Sequence, residues 1–69
     1  MVEVFKTNIQ ETGVVQKITA LLLEHFPESK INFDLHDCDK ILRFEGEMIS
    51  VSKVINVVKA NGFTCSVLD

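Results

Sequence analysis

Residues 31–45 read INFDLHDCDKILRFE and carry the pattern that decides the fold. In the first part of this stretch, apolar residues alternate with polar ones, which predicts a strand with one buried face and one face in water. The short polar residues at 36–39 are typical of a turn, and residues 40–45 predict a strand that returns beside the first. The stretch therefore predicts a β-hairpin in the middle of the chain.

Before the hairpin, the sequence predicts one strand and one helix. Residues 2–7 are rich in β-formers and predict the first strand. Thr12 is the expected N-cap of the helix, because its hydroxyl can accept a hydrogen bond from an unpaired N–H of the first turn, and Pro27 ends the helix. Between them, apolar residues recur at the spacing of one buried helical face. These residues are Val14, Val15, Ile18, Leu21, Leu22 and Phe26.

After the hairpin, the sequence predicts a second helix and a last strand. Ser50 is the expected N-cap, and apolar residues again follow on one helical face. Gly62 tolerates a positive φ and, together with Asn61, marks the end of this helix. Residues 63–68 predict the last strand.

The order of elements is β-α-β-β-α-β, in one domain that spans residues 1–69. It predicts an α+β fold of the ferredoxin-like βαββαβ type. This is a four-stranded antiparallel sheet in the strand order 4-1-3-2, with two helices on one face. In that topology, the loops at residues 8–13, 36–40 and 60–63 are neighbours at one end of the sheet.

Composition and cysteine content limit the partners and the compartment. The chain has ten acidic and seven basic residues, a net charge of −3 and no basic stripe, so we expect no nucleic-acid partner. No apolar run reaches the roughly 18 residues that cross a bilayer, so we expect no membrane contact. Cys38 and Cys65 are predicted at opposite edges of the sheet, too far apart for a disulfide. Two free thiols indicate a reducing compartment, and we expect a cytoplasmic protein.

Three stretches together resemble the heavy-metal-associated domain of copper chaperones and metal-transporting ATPases. In that family the first loop reads Gly-Met-x-Cys-x-x-Cys. Without a gap, Asn8 takes the place of the glycine, Ile9 that of the methionine, and Glu11 and Val14 those of the two cysteines. The resemblance covers essentially the whole chain. The stretches are NIQETGVVQKI (8–18), LHDCDKILRFEG (35–46) and VSKVINVVKANGFTCSVL (51–68).

The resemblance implies a metal-binding scaffold without its metal ligands. Family members hold copper(I) or zinc between two thiolates, whereas Glu11 offers one hard oxygen and Val14 offers no donor. We therefore expect no metal at Glu11 and Val14 and no cofactor. Glu11 would complement the helix dipole, and Val14 would be the first core residue of the helix. Ile9 and Phe63 match family residues that support the metal loop.

Two other chemistries can be weighed against this interpretation. A relocated metal site would use His36 and Cys38 of the hairpin turn, with Asp37, Asp39 or Glu11 as further ligands. Catalysis would need a nucleophile and a base in a pocket, which a tight exposed turn does not offer. We expect that the protein is not an enzyme.

Binding to a protein partner is the function that we expect. If Val2 and Val4 face the helices, an apolar cluster lies on the open face of the sheet, although the sequence permits either orientation of the first and third strands. The edge strands and the loop end are alternative contact surfaces. A weak homodimer, or a dimer that senses a small ligand, is a further alternative that rests on analogy with other proteins of this fold. The expected contact residues are Phe5, Ile41, Leu68, Ile9 and Phe63.

Overall fold

Six elements follow one another in the predicted order in the computed structural model, which describes residues 1–68. The four strands form one antiparallel sheet in the order β2-β3-β1-β4; counted from the β4 edge, the same order is 4-1-3-2. The fold is therefore α+β. The elements are β1 (Val2–Thr7), α1 (Thr12–His25), β2 (Lys30–Asp34), β3 (Ile41–Glu45), α2 (Val51–Ala60) and β4 (Cys65–Val67).

One face of the sheet and both helices enclose a single core. In register across the sheet, Phe5 of β1 lies opposite Leu42 of β3, and Leu42 lies opposite Phe33 of β2. Residues that pair across antiparallel strands point to the same face, so these side chains share the helix-facing side. The fully buried residues of the core come from strands, from the loop after β1 and from both helices: Phe5, Ile9, Ile18, Leu22, Leu42, Phe44, Val54 and Val58.

The orientation of β1 is opposite to the one on which the predicted contact surface depended. Phe5 has no exposed surface and lies in the core, so the prediction that it contacts a partner is wrong. Val2 and Val4 lie on the open face instead, beside Arg43, the partner of Val4 on β3. The physical reason is size, because Phe5 buries more apolar surface against the helices than either valine would.

The predicted N-cap is confirmed for α2 and wrong for α1. Ser50 caps α2, and its Oγ accepts a hydrogen bond from the Lys53 N–H at 3.4 Å. The prediction that Thr12 caps α1 is wrong, because the N-cap is Glu11, whose side chain makes no capping hydrogen bond. After α2, Gly62 has φ +90°, as predicted, and the Phe63 N–H bonds back to the Val58 carbonyl. Residues 63 and 64 therefore lie outside the sheet, and β4 begins at Cys65 instead of at residue 63 as predicted.

Hydrogen bonds hold the predicted neighbouring loops together at one end of the sheet. The Asn8 side-chain oxygen accepts a bond from the Thr64 N–H at 2.8 Å, which ties the loop after β1 to the segment after α2. The Thr7 N–H donates to the Asp39 carbonyl at 3.1 Å, which ties the end of β1 to the hairpin turn. This part of the topology is confirmed.

Candidate functional site

The loop before α1 holds the two residues at the positions of the family's cysteines. Glu11 is exposed and has an extended backbone, and its carbonyl accepts hydrogen bonds from the N–H groups of Val14 and Val15, both at 3.1 Å. Val14 is half-buried and packs against the core. A solvent-facing carboxylate and a core valine do not form a pair of soft donors, so the residues present do not fit a copper(I) thiolate site.

The residues that match the hydrophobic support of the family's loop are structural in this chain. Ile9 is completely buried and belongs to the core, so it cannot contact a partner, and that prediction is wrong. Phe63 is half-buried and packs against the same core. The loop therefore rests on apolar contacts that need no metal.

Thr7 and Asn8 fix this loop through hydrogen bonds that the sequence analysis missed. The buried Thr7 hydroxyl donates to the Lys40 carbonyl at 2.6 Å and accepts from the Ile9 N–H at 3.2 Å. Asn8 bonds to Thr64, as described above. A polar residue after a strand is a weak signal on its own, because its partners lie far along the chain. These residues position the loop, and none of them adds a reactive group.

The hairpin turn is built by two aspartates that bond to the backbone. The Asp34 carboxylate accepts from the His36 N–H at 3.1 Å, and the Asp37 carboxylate accepts from the Asp39 N–H at 2.9 Å. Lys40 ends the turn with φ 48°, in the left-handed region. These local bonds explain why short polar residues occur here.

Potential metal-ligating atoms are brought together in this turn, but not in the predicted combination. One donor atom each from Asp37, Cys38 and Asp39 lies within 4.8 Å of the others. His36 and Glu11 are not members of this group. This group therefore consists of one exposed thiol and two carboxylates, and it contains Cys38 of the predicted pair but not His36.

Both carboxylates of this group have structural roles. Asp37 holds the turn through the Asp39 N–H, and the Asp39 side chain lies 3.6 Å from the Lys6 ammonium group. An ion would have to share or displace these interactions. Two hard oxygens and one soft sulfur form a mixed donor set that suits neither a calcium-type nor a copper(I) site, whereas zinc accepts both kinds of donor.

The two cysteines differ in environment and are both free. Cys38 is exposed in the turn, whereas Cys65 is buried on β4. Loss of hydration raises the pKa of the Cys65 thiol to about 11, and the nearby positive charge of Lys59 lowers it in part. A thiol with a raised pKa is a poor nucleophile at neutral pH, so Cys65 acts as a small core residue.

The open face of the sheet carries an apolar cluster, which we call the open-face patch and define as Val4, Ile41 and Leu68. Leu68 is held beside β1 because its N–H donates to the Val4 carbonyl at 2.9 Å. Ile41 is only 9% exposed and Leu68 is 38% exposed. All three side chains line one depression of about 430 Å³. The predicted contact residues Ile41 and Leu68 are therefore brought together, with Val4 in the place expected for Phe5.

Charged and polar groups surround the open-face patch. Asp34 and Asp37 line the depression from β2 and the hairpin turn, and Arg43 and Asn32 line it from β3 and β2. The rim therefore offers both signs of charge around an apolar centre. This arrangement is typical of protein-binding surfaces, in which an apolar core is surrounded by a polar rim.

A second concave surface lies at the opposite end of the sheet and was not predicted. A cavity of about 650 Å³ is formed by residues 1–2, 26–30 and 45–48. Met48 is 89% exposed at this surface. Its lining combines apolar side chains, such as Phe26 and Met48, with polar and charged groups of the connecting loops.

Comparisons with models of protein families, with curated proteins and with solved structures each found no match. The resemblance to the heavy-metal-associated family therefore rests on the residues quoted above. Within residues 1–68, neither helix has the length and apolarity that a bilayer-spanning segment requires.

Proposed function

We propose that this chain is a small, non-catalytic binding module that acts through protein–protein contact. In this proposal its βαββαβ architecture is ferredoxin-like and is the scaffold of a heavy-metal-associated domain without the paired cysteine ligands. The partner binds the open face of the sheet, and the module works without a cofactor in a reducing compartment such as the cytoplasm, which suits the exposed free thiol of Cys38.

The loop before α1 supports the first half of this proposal. Glu11 and Val14 supply a helix start and a core contact, which are structural roles. Thr7 and Asn8 tie the loop to two other segments without any metal. A loop held by hydrogen bonds and apolar contacts keeps its shape when the thiolates are lost.

The single observation that carries the proposed contact is the open-face patch. Both helices pack on the other side of the sheet, so Val4, Ile41 and Leu68 face away from the core. The apolar centre, the concave shape and the charged rim occur at the same place. Docking a partner there would remove exposed apolar surface from water and leave the core undisturbed.

Substitution of a peripheral residue of the patch tests this proposal. Leu68→Arg puts a charge at the open-face patch, and Ala20→Arg makes a comparable change on the exposed side of α1. Proteins retained by the immobilised wild-type chain from cell extract would be identified by mass spectrometry. The affinity of each purified candidate would then be measured by titration calorimetry.

We expect Leu68→Arg to weaken binding of the true partner about tenfold or more, because a buried unpaired charge is costly at an interface. Ala20→Arg should bind like the wild type. Circular dichroism should show that both variants are folded. Equal affinity of Leu68→Arg and the wild type would overturn the open face as the binding surface.

Metal binding at the hairpin is the second candidate function, favoured by the proximity of Asp37, Cys38 and Asp39 donor atoms. The reduced chain would be titrated with zinc and with copper(I) while amide chemical shifts are followed. Saturable, stoichiometric shifts confined to the turn, and lost in Cys38→Ser, would favour this candidate. Protein binding without metal predicts only weak, unsaturated shifts.

A further inference from the structure

Within the described residues 1–68, strand β2 forms one edge of the sheet and has a neighbouring strand on one side only. An edge strand presents unpaired backbone N–H and C=O groups that can bond to a strand of another chain. β2 is five residues long, whereas the opposite edge strand, β4, has three. The β2 edge is therefore the longer surface available for strand pairing.

The sequence of β2 is complementary to itself in antiparallel orientation. Its five residues read KINFD, from Lys30 to Asp34. When two copies pair antiparallel around Asn32, each Lys30 lies opposite an Asp34. In the same register, each Ile31 lies opposite a Phe33. Opposite charges and aromatic–aliphatic pairs are both favourable across antiparallel strands.

The burial of these side chains matches the same register. Ile31 and Phe33 are on the helix-facing side but are only half-buried, whereas Leu42 and Phe44 on the neighbouring strand β3 are completely buried. A strand added beside β2 would cover the remaining surface of Ile31 and Phe33. In the monomer, part of the apolar surface of these two side chains is therefore left uncovered.

The charged ends of β2 are available for contacts between chains. Lys30, Asn32 and Asp34 are all exposed. One oxygen of Asp34 accepts the His36 N–H, which leaves its second oxygen free for a lysine. Among residues 1–68, the ion pair within 4.0 Å joins Lys6 and Asp39, so neither Lys30 nor Asp34 is in a salt bridge within the chain.

We propose that the β2 edge binds the β2 edge of a second copy of this chain, in antiparallel register around Asn32. The result is a two-fold symmetric dimer with one continuous eight-stranded sheet, since each chain contributes four strands. Only five residues of each chain pair, so the interface is smaller than that of a stable dimer. We expect a dissociation constant on the order of 0.1 mM. This inference does not use the three residues of the open-face patch, although Asn32 and Asp34 also line its rim.

Charge reversal and charge exchange test the register. In Lys30→Asp, both salt bridges of the dimer become contacts between two aspartates, and in Asp34→Lys both become contacts between two lysines. The double variant Lys30→Asp/Asp34→Lys restores two opposite-charge pairs with the order reversed. Association of the wild type and all three variants would be measured by sedimentation equilibrium. A dilution series of amide spectra would show which residues respond.

We expect each single variant to weaken association roughly tenfold. The double variant, which also lacks the bond from the His36 N–H to the Asp34 carboxylate, should recover most of the association that Lys30→Asp loses. The concentration-dependent shifts of the wild type should centre on residues 30–34. Leu68→Arg, which alters the open face, should associate like the wild type.

Three outcomes would overturn the proposal. The first is a wild-type chain that stays monomeric up to about 1 mM, roughly ten times the expected dissociation constant. The second is a dimer whose shifts lie outside β2. The third is a dimer that the single charge reversals leave unchanged.

Discussion

The two faces of the sheet carry the same kinds of apolar residue but bury them to different extents. On the helix-facing side, Phe5, Leu42 and Phe44 are completely buried. On the open face, Ile41 is nearly buried in a depression while Leu68 is 38% exposed. The difference indicates that more apolar surface is buried on the helix-facing side than on the open face. The residues of the open face can therefore serve binding at little cost to folding.

The largest contrast should appear when the same side chain is shortened on each face. Leu42→Ala removes a completely buried leucine and leaves a cavity between the sheet and the helices, so it should lower the free energy of unfolding by about 2–5 kcal/mol. Leu68→Ala should cost roughly 1 kcal/mol or less, because part of its surface is already in water. Chemical denaturation followed by circular dichroism measures both values.

Similar losses in the two variants would show that the open face contributes to stability as much as the core. The assignment of Leu68 to a binding surface would then lose its basis. The slope of the free energy of unfolding against denaturant concentration should be the same in both variants and the wild type if their unfolded states are alike.

A second contrast compares a buried threonine with an exposed one. Thr7→Val keeps the shape but removes the hydroxyl that bonds to the Lys40 carbonyl and to the Ile9 N–H. Leaving these buried groups unpaired should lower the free energy of unfolding by about 1–3 kcal/mol. The control is Thr64→Val, because Thr64 is exposed and its backbone N–H, which bonds to Asn8, is retained. An equal loss of unfolding free energy in Thr64→Val would show that the loss in Thr7→Val is not due to the buried bonds of the Thr7 hydroxyl.

Cys65 provides a probe of burial on the helix-facing side that depends on pH. Its pKa is raised in the folded chain from an ordinary value of 9.0 to about 11. Between these values the unfolded chain releases its thiol proton and the folded chain retains it, so rising pH favours unfolding. The thiol's contribution to stability is complete below about pH 9 and should fall by about 1–2 kcal/mol as the pH approaches 11.

The measurement compares the wild type with Cys65→Ala in denaturation series at several pH values from 8 to 11. The two chains differ only at position 65, so the difference between their free energies of unfolding reports on the thiol. This difference in free energy of unfolding should become smaller as the pH rises from 8 to 11. A difference that stays constant would mean that Cys65 is hydrated in the folded chain.

The order of the elements was predictable because each is encoded by local periodicity, whereas the orientation of β1 was harder to predict. The residues VEVF offer apolar side chains at both parities, so this strand alone could not decide which face is buried. Arg43 carried a usable signal: it alternates with Leu42 and Phe44 and assigns those two residues to the core. Register then places Phe5 beside Leu42.

Two parts of the candidate site depend on contacts that local patterns do not contain. Thr7 bonds to a carbonyl 33 residues away, and Asn8 bonds to an N–H 56 residues away. In the turn, the Asp39 N–H bonds to the Asp37 carboxylate and Lys40 is left-handed, and donor atoms of Asp37, Cys38 and Asp39 lie close together there. Residue types can suggest a metal site in this turn, but which donor atoms lie close together depends on the conformation of the turn.

The smallest contrast compares the starts of the two helices: Ser50 is the N-cap of α2, and Thr12 is the first residue of α1. Ser50 accepts a bond from the Lys53 N–H, so Ser50→Ala should lower the free energy of unfolding by about 1 kcal/mol. Thr12 lies inside α1 and caps nothing, so Thr12→Ala should be close to neutral or slightly stabilising, because alanine is the better helix former. Both values come from thermal and chemical denaturation. A loss of about 1 kcal/mol in Thr12→Ala would restore Thr12 as the cap that the sequence suggests and would move the start of α1.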